Sequence, residues 1–309
     1  MTAKLTNSRT YKKLFYRLFF IMLFCGIGYI LIYPLIYIFT TAVKSPADML
    51  DTTTVWIAKK PTYTNFLDAW GYIEYIKSLI NTVMIAVSVT VLNLAVCSTI
   101  GYGFARFKFR ERGLIFALVV FTIIVPPQVI GLPQYIYFLQ FDIFGIFKNT
   151  LGGTINFNNT LAPFILPAVF GQGLKSGLFI YIFRQFYRGM PVELEEAGYI
   201  DGCGTFKTYL RIMVPSATPA FTTVGLLSFV WHWNEVFNQA QYMTNNPTLS
   251  MRLVGIVGYI TKSSQVTDLS YVVPTKYAGV ALVILPLIIV YLIGQKFFVE
   301  GIERSGIVG

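Results

Sequence analysis

The charged residues best placed to act on a partner lie in one segment, residues 184–219, of an otherwise apolar chain. Three glutamates stand together at the start of a predicted helix, where the helix dipole favours negative charge: Glu193, Glu195 and Glu196. Gly202 should end that helix, because glycine accepts backbone angles closed to other residues. A second short helix is predicted over residues 205–214, stopped by Pro215. The pattern predicts a compact, charged helix–turn–helix between two hydrophobic spans.

Other kinds of chemistry lack the residues they require. The chain has no G-x-x-x-x-G-K-[ST] phosphate loop, so it cannot hold ATP in that way. One histidine, His232, argues against a histidine-based metal site, and the three cysteines have neither metal nor redox spacing. The acids lie almost wholly in loops, whereas proton- or sodium-coupled carriers keep carboxylates within the membrane. We therefore predict no metal, no cofactor and no catalytic residue in this chain, with any energy supplied by a partner.

A second group of candidate residues ends the fifth predicted span: Trp231, Trp233, Asn234 and Glu235. They lie about 24 Å along a helix from Pro219, a depth that suits the outer membrane interface, where tryptophan belts are common. Aromatic rings, amides and carboxylates also suit a sugar pathway, and the sequence leaves both interpretations open. For His232 we expect packing at the interface. Lys175 either extends to the outer surface or lines the pathway.

The composition is that of a membrane protein. The chain has 309 residues, of which 55% are hydrophobic and 12% charged, with a mean hydropathy of +0.62. Its net charge of +10 does not indicate a nucleic-acid-binding protein, because the basic residues cluster at the ends of apolar runs. These features predict an all-α integral membrane protein.

Six apolar stretches are predicted to be spans, and Pro126-Pro127 interrupts the third. Their approximate bounds are 18–43, 78–104, 113–125, 161–187, 217–237 and 277–298. We divide the chain into a basic N-terminus, a first span with its outer loop, a core containing the charged segment, and a tail. The corresponding ranges are 1–17, 18–77, 78–298 and 299–309. Basic residues on the proposed inner side outnumber those outside by fifteen to eight, which places both termini and the charged segment in the cytoplasm.

The charged segment resembles the EAA loop of ATP-binding-cassette (ABC) importer permeases. That pattern is E-A-A, three residues, G, nine residues, I-x-L-P, and the matching residues are Glu196, Ala197, Gly198, Gly202, Ile212 and Pro215. Gly198 replaces the second alanine and should loosen the helix slightly, and Val214 replaces leucine. Residues 78–113 resemble the NT…YAxARxxFxG segment of sugar-importer permeases. The resemblance covers about residues 78–301, and the QKFFVEG ending is closest to the maltose type.

This resemblance implies a type I importer permease with six transmembrane helices in a bacterial cell membrane. It further implies a second, homologous permease in a heterodimer, two cytoplasmic ATP-binding subunits that use ATP and Mg, and an extracellular solute-binding protein that delivers a carbohydrate, most simply an oligosaccharide. The EAA loop would be the helix that couples the permease to the ATPases. The implied coupling residues are Glu195, Glu196, Ala197, Gly198, Asp201, Gly202, Ile212 and Pro215.

The outer segment 238–275 carries an apolar group that either contacts the binding protein or packs on neighbouring spans: Met251, Leu253 and Val254. Two other functions stay open at this point. The chain could import another solute such as glycerol phosphate, or it could be a membrane scaffold that transports nothing, although a scaffold would not require the EAA spacing. A membrane enzyme is disfavoured because no catalytic cluster is present.

Overall fold

The computed structural model of the protein describes the backbone of residues 2–305 and the side chains of residues 12–150 and 152–295. The regular secondary structure of the described residues is helical, with one isolated antiparallel bridge between Phe141 and Ile155. The helices are α1 Thr2–Ala42, α2 Pro46–Leu50, α3 Thr64–Tyr72, α4 Tyr75–Arg106, α5 Arg112–Ile124, α6 Pro127–Leu139, α7 Ile146–Leu151, α8 Ala162–Val169, α9 Ser176–Gly189, α10 Glu193–Ile200, α11 Thr205–Thr208, α12 Val214–Ser216, α13 Thr218–Asn234, α14 Phe237–Tyr242, α15 Leu249–Ser264 and α16 Leu269–Ser305. A π-helical turn, Tyr209–Met213, joins α11 to α12.

Three described helices are long and apolar enough to cross a membrane: Lys12–Ala42, Tyr75–Arg106 and Leu269–Gln295. Two bent helix pairs bring the number to as many as five. In one pair, α5 and α6 meet at 97°. Pro126 and Pro127 occupy this junction, as the sequence predicted, because neither proline can donate the backbone hydrogen bond that would continue α5. In the other, the segment Thr205–Ser216 meets α13 at 76°.

The prediction of a continuous fourth span over residues 161–187 is wrong. The structure places two shorter helices there, α8 and α9, separated by residues 170–175. Gly171 and Lys175 in this connection both have left-handed backbones, with φ of +68° and +62°. A left-handed residue cannot continue a right-handed helix, so the two turns divide the stretch although its hydropathy is high.

The chain divides into two compact units, Met1–Tyr72 with Ile256–Leu282, and Ile73–Gly255 with Val283–Gly309. In the first unit, hydrogen bonds hold the polar segment after α1 in place. The buried Lys44 ammonium donates to the carbonyls of Thr54 and Val55 at 2.9 and 2.8 Å. The Asn65 amide donates to the carbonyls of Ala42 and Lys44, both at 2.8 Å. The bond to Ala42 satisfies a carbonyl at the end of α1, and together these bonds tie the loop to the helix.

The second unit is built around α4, which packs against α8, α9 and α13. A close approach to α9 is possible because Gly101 lacks a side chain. A Cβ at this position would lie 2.6 Å from Phe183 Cβ and 3.0 Å from the Arg184 nitrogen. Around this crossing lies an aromatic core that includes Phe179, Tyr187 and Tyr209. Small residues of this kind let two membrane helices come into backbone contact.

A cluster of buried polar side chains joins α4 to α9 and α13. The Asn93 amide donates to Ser228 Oγ at 3.0 Å, and the Ser176 hydroxyl donates to Asn93 Oδ1 at 3.3 Å. Thr90 Oγ1 donates to the same Ser228 oxygen at 3.1 Å. Because such groups find no water inside a bilayer, their mutual bonding holds the three helices in register.

Candidate functional site

The charged helix α10 ends in a rigid turn built around Gly202. The amide of Cys203 donates to the carbonyl of Gly198 at 2.9 Å, and the amide of Gly202 donates to that of Tyr199 at 3.1 Å. Gly202 itself has a φ of +76°. This is a Schellman motif, in which the left-handed residue after the helix allows the last carbonyls to be satisfied. The predicted turn at Gly202 is therefore confirmed.

Gly198 brings α10 directly onto the next helical segment. A Cβ at this position would lie 2.7 Å from Ile212 Cδ1 and 3.2 Å from the Thr208 side chain. The sequence suggested only that Gly198 loosens the helix slightly. In the structure, the glycine also permits this close packing. Two residues of the E-A-A…I-x-L-P pattern, fourteen positions apart, thus meet in space, and α10 with its successor forms one packed unit.

Two neighbouring glutamates of α10 differ in exposure. Glu196 is exposed, whereas Glu195 is buried and forms an ion pair in which Arg106 Nε lies 3.1 Å from Glu195 Oε2. The Tyr102 hydroxyl donates to the other carboxylate oxygen, Oε1, at 2.5 Å. Since successive helical residues are about 100° apart, two adjacent acids can serve different surroundings.

A cavity of about 340 Å³ lies within the second unit, a size at the lower end of the range for small-molecule sites. Apolar side chains of α5, α6, α8 and α9 form most of its wall. The polar and charged members include Gln134, Gln172, Lys175, His232, Glu235, Asn238, Gln239 and Tyr242. The cavity therefore combines an apolar wall with a group of side chains able to form hydrogen bonds.

Among these polar residues, Glu235 and Gln239 already form hydrogen bonds within the protein. The Glu235 carboxylate accepts from the amides of Asn238 and Gln239 at 2.9 and 3.0 Å, which caps the start of α14. The Gln239 amide donates to the His232 carbonyl at 2.7 Å, and its oxygen accepts from Ser250 at 3.1 Å. Tyr242 differs, because its buried hydroxyl has no hydrogen-bond partner among the described residues.

A sequence model of one transporter family, described as "Binding-protein-dependent transport system inner membrane component", matches residues 97–304, more than half of the chain. The chain belongs to this family. It is thus a multi-pass inner-membrane permease of an ABC importer, and the resemblance found in the sequence is confirmed. Permeases of this kind work with ATPase subunits and with a solute-binding protein.

Known relatives cover nearly the whole permease. An ABC transporter permease protein of a Caldicellulosiruptor species is 30% identical over 89% of this chain and 91% of its own length. An arabinooligosaccharides transport system permease protein of Halalkalibacterium halodurans is 24% identical over 93% of this chain and 94% of its own length. Among solved structures, a bacterial ABC transporter involved in the import of the acidic polysaccharide alginate matches with a TM-score of 0.64, 18% identity, and 94% and 97% coverage. This match confirms the predicted all-α importer permease fold.

The structure sorts the permease's predicted coupling residues by exposure. Five of these residues are exposed on the helix–turn–helix that begins with α10: Glu196, Ala197, Asp201, Gly202 and Pro215. Ile212 is half-buried, and Gly198 is buried against it. Glu195, which the sequence grouped with the coupling residues, is buried and pairs with Arg106.

The predicted pathway residues of the permease do not all reach the cavity. Trp233 is buried and packs on Phe229 with ring centroids 5.5 Å apart, and the exposed Asn234 donates to the Val230 carbonyl. Trp231 is half-buried, and its ring centroid lies 5.7 Å from that of Phe179. The Lys175 ammonium lies over the Trp231 ring, 5.7 Å from the ring centroid. Only Glu235 of the four is among the residues that line the cavity, as far as the described residues show.

Several cavity residues escaped the sequence analysis. His232 was assigned to interface packing, although the structure puts it at the cavity with Nδ1 2.7 Å from the Ser228 carbonyl. Gln134 stands in the motif-like stretch PPQVIGLPQYIYF, where an amide in an apolar run was an available signal.

The group suggested for binding-protein contact lies on a helix, α15, and not in a loop: Val254 is exposed, whereas Met251 and Leu253 are half-buried.

Proposed function

We propose that this permease forms half of a translocation pathway for a carbohydrate, in particular an oligosaccharide, delivered by an extracellular solute-binding protein. The other half would come from a homologous permease, and two cytoplasmic ATPases would drive the cycle with ATP and Mg. The relative named for arabinooligosaccharides, 24% identical over nearly full length, supports a substrate of this class. The proposal further places both termini of the chain in the cytoplasm.

The observation that carries the coupling part of the proposal is the exposure of Glu196 on a rigid support. The carboxylate projects from a helix that is capped at Gly202 and packed through Gly198. A rigid helix can pass on a rigid-body displacement, which a flexible loop would absorb. We assign Glu196 to the contact with basic or polar groups of an ATPase.

The test reverses this charge in the assembled transporter. Glu196→Lys should lower sugar import per ATP hydrolysed, or detach the ATPase, without unfolding the spans, because an exposed substitution has little effect on stability. Glu193→Lys is the matched control, since Glu193 is also exposed on α10 but lies outside the EAA pattern. If both variants assemble and import like the wild type, the coupling role of Glu196 is wrong.

For the sugar itself we propose the cavity as a contact point of this subunit, with Glu235 and Tyr242 among its hydrogen-bonding groups. Tyr242→Phe tests this cleanly, because its hydroxyl has no partner to lose and the protein should fold unchanged. We expect a raised KM for sugar import. The control is Tyr135→Phe, whose hydroxyl accepts from Asn158 at 3.1 Å. An unchanged KM for Tyr242→Phe would remove the residue from the pathway.

The substrate class is tested with the whole transporter in proteoliposomes. We expect import of neutral oligosaccharides when the associated binding protein is present, and no import of glycerol phosphate. Import of glycerol phosphate alone would establish the other solute class. A complex that retains all its subunits and moves neither solute would support a scaffold.

A further inference from the structure

The last turn of α4 holds the coupling helix from its inner side. Arg106 is the final residue of α4, and its Nη2 donates to the Met190 carbonyl at 2.8 Å, in the link that leads into α10. The same guanidinium forms the ion pair with Glu195, in the first turn of α10, at 3.1 Å from Nε. Tyr102, one turn earlier in α4, donates to the free oxygen of that carboxylate at 2.5 Å.

These three residues, Tyr102, Arg106 and Glu195, are here called the clasp, and they are shielded from solvent. The Arg106 and Glu195 side chains are 10% and 8% exposed. The Tyr102 ring packs in the aromatic core, with its centroid 4.8 Å from that of Tyr209 and 5.4 Å from that of Tyr187. Removing one member of a buried ion pair leaves a charge without compensation, so a buried pair resists separation far more than a surface pair does.

We propose that the clasp fixes α10 to α4, so that a displacement received by the coupling helix moves α4 with it. Glu195 is then a positioning residue rather than a docking residue, and the two adjacent glutamates divide the work: Glu196 meets the ATPase and Glu195 anchors the helix. This inference rests on the proposed coupling role of α10.

The packing of α10 makes this anchor necessary. The buried face of the helix contacts Thr208 and Ile212 through Gly198, which joins it to the segment that leads into α13. Its link to α4 is made by the polar contacts of Glu195. Without the clasp, α10 would still be folded and exposed to an ATPase, but its displacement would no longer reach α4 directly.

The principal test is Glu195→Gln in the complete transporter, reconstituted in proteoliposomes with its binding protein and ATPases. Glutamine keeps the size of the side chain and can still accept from Tyr102, but it leaves the Arg106 charge unpaired. We expect the ATPase to remain bound, while import per ATP hydrolysed falls by roughly 5- to 150-fold, the range of ordinary coupling between sites. Import per ATP equal to the wild type, or loss of the ATPase as severe as in Glu196→Lys, would overturn the proposal.

A milder variant covers the case in which Glu195→Gln does not accumulate. Tyr102→Phe retains the ring in the aromatic core and keeps the ion pair, so it should fold and keep its ATPase. It should still lower import per ATP severalfold, and it should speed maleimide labelling of Cys203, three residues beyond the end of α10, in a variant with Cys25→Ser and Cys97→Ala. An unchanged ratio with unchanged labelling would refute the clasp.

Comparing variants of the two glutamates distinguishes failure of the clasp from failure of the proposed coupling role of α10. If Glu196→Lys uncouples import while Glu195→Gln and Tyr102→Phe do not, coupling by α10 stands and the clasp is wrong. If none of the three variants changes import per ATP, the coupling role of the whole helix fails.

Discussion

The close crossing of α4 and α9 gives a prediction with an internal control. Gly101 and Gly103 lie on the same helix, but a Cβ at 101 would be 2.6 Å from Phe183 Cβ, whereas one at 103 would meet nothing nearer than Phe107 Cδ2 at 4.0 Å. Carbon atoms prefer separations of about 3.5–4.0 Å, so Gly101→Ala must push the helices apart by roughly 1 Å. The obstacle is another Cβ and backbone, which cannot swing aside.

The magnitude follows from comparing Gly101→Ala with Gly103→Ala. Each gains about 1 kcal/mol of helix propensity, which cancels in the difference. Overpacking at 101 then remains, so Gly101→Ala should be less stable than Gly103→Ala by about 1–3 kcal/mol. Equilibrium unfolding of both variants in mixed detergent micelles measures this difference. Equal free energies of unfolding would show that the helices do not cross this closely.

Four further predictions concern the rest of the chain. The purified permease without its partners should hydrolyse no ATP above background, and steady hydrolysis would contradict the assignment. Cysteine labels at Thr205 should react only from the cytoplasm and labels at Lys60 only from outside; the reverse pattern would overturn the orientation. Val254→Asp should weaken stimulation of hydrolysis by the loaded binding protein if this exposed side chain contacts it, and full stimulation would exclude that contact. Hydrogen bonds from Lys59, and from Thr53, hold the pKa of Asp51 well below its usual range. This carboxylate therefore stabilises the loop above the unfolded-state pKa of about 3.9, and its contribution is lost as the pH falls through the lowered folded value. Lys59→Met should flatten that acid-induced loss, and an unchanged acid transition would contradict the role of the pair.

The coupling segment could be read from the sequence because its signals are local. Glycine at 202 ends α10 as predicted, because it determines the backbone geometry within a few residues. The prediction that Pro215 stops the second helix is wrong: Pro215 lies inside α12, where an early helical position tolerates proline, and the helical segment ends only after Ser216. The inward turn of Glu195 could not be read in this way. Its partner Arg106 lies 89 positions earlier in the chain, and nothing in the EAA segment alone shows which of two adjacent acids will be buried.

The fourth span and the cavity illustrate two other limits of sequence reasoning. Hydropathy over residues 161–187 reports only that the stretch is apolar, so it missed the left-handed turns at Gly171 and Lys175 that divide it. The cavity is formed by residues from helices far apart in the sequence, such as Gln134, His232 and Tyr242. Their convergence is a property of tertiary packing, whereas the neighbouring tryptophans that stood out by composition mostly fill the core.

The unbroken length of α4 has a mechanical consequence. This helix has 32 residues and so extends about 48 Å. Asn93, which is hydrogen-bonded to the cavity-lining Ser176, lies about 20 Å along it from Arg106 at its end. With Asn93 as a fulcrum, a tilt of about 10° moves Arg106 by about 3.4 Å and barely shifts the polar cluster around the fulcrum. The helix would thus act as a lever arm that converts a displacement of a few ångströms at the coupling end into a change of angle beside the cavity.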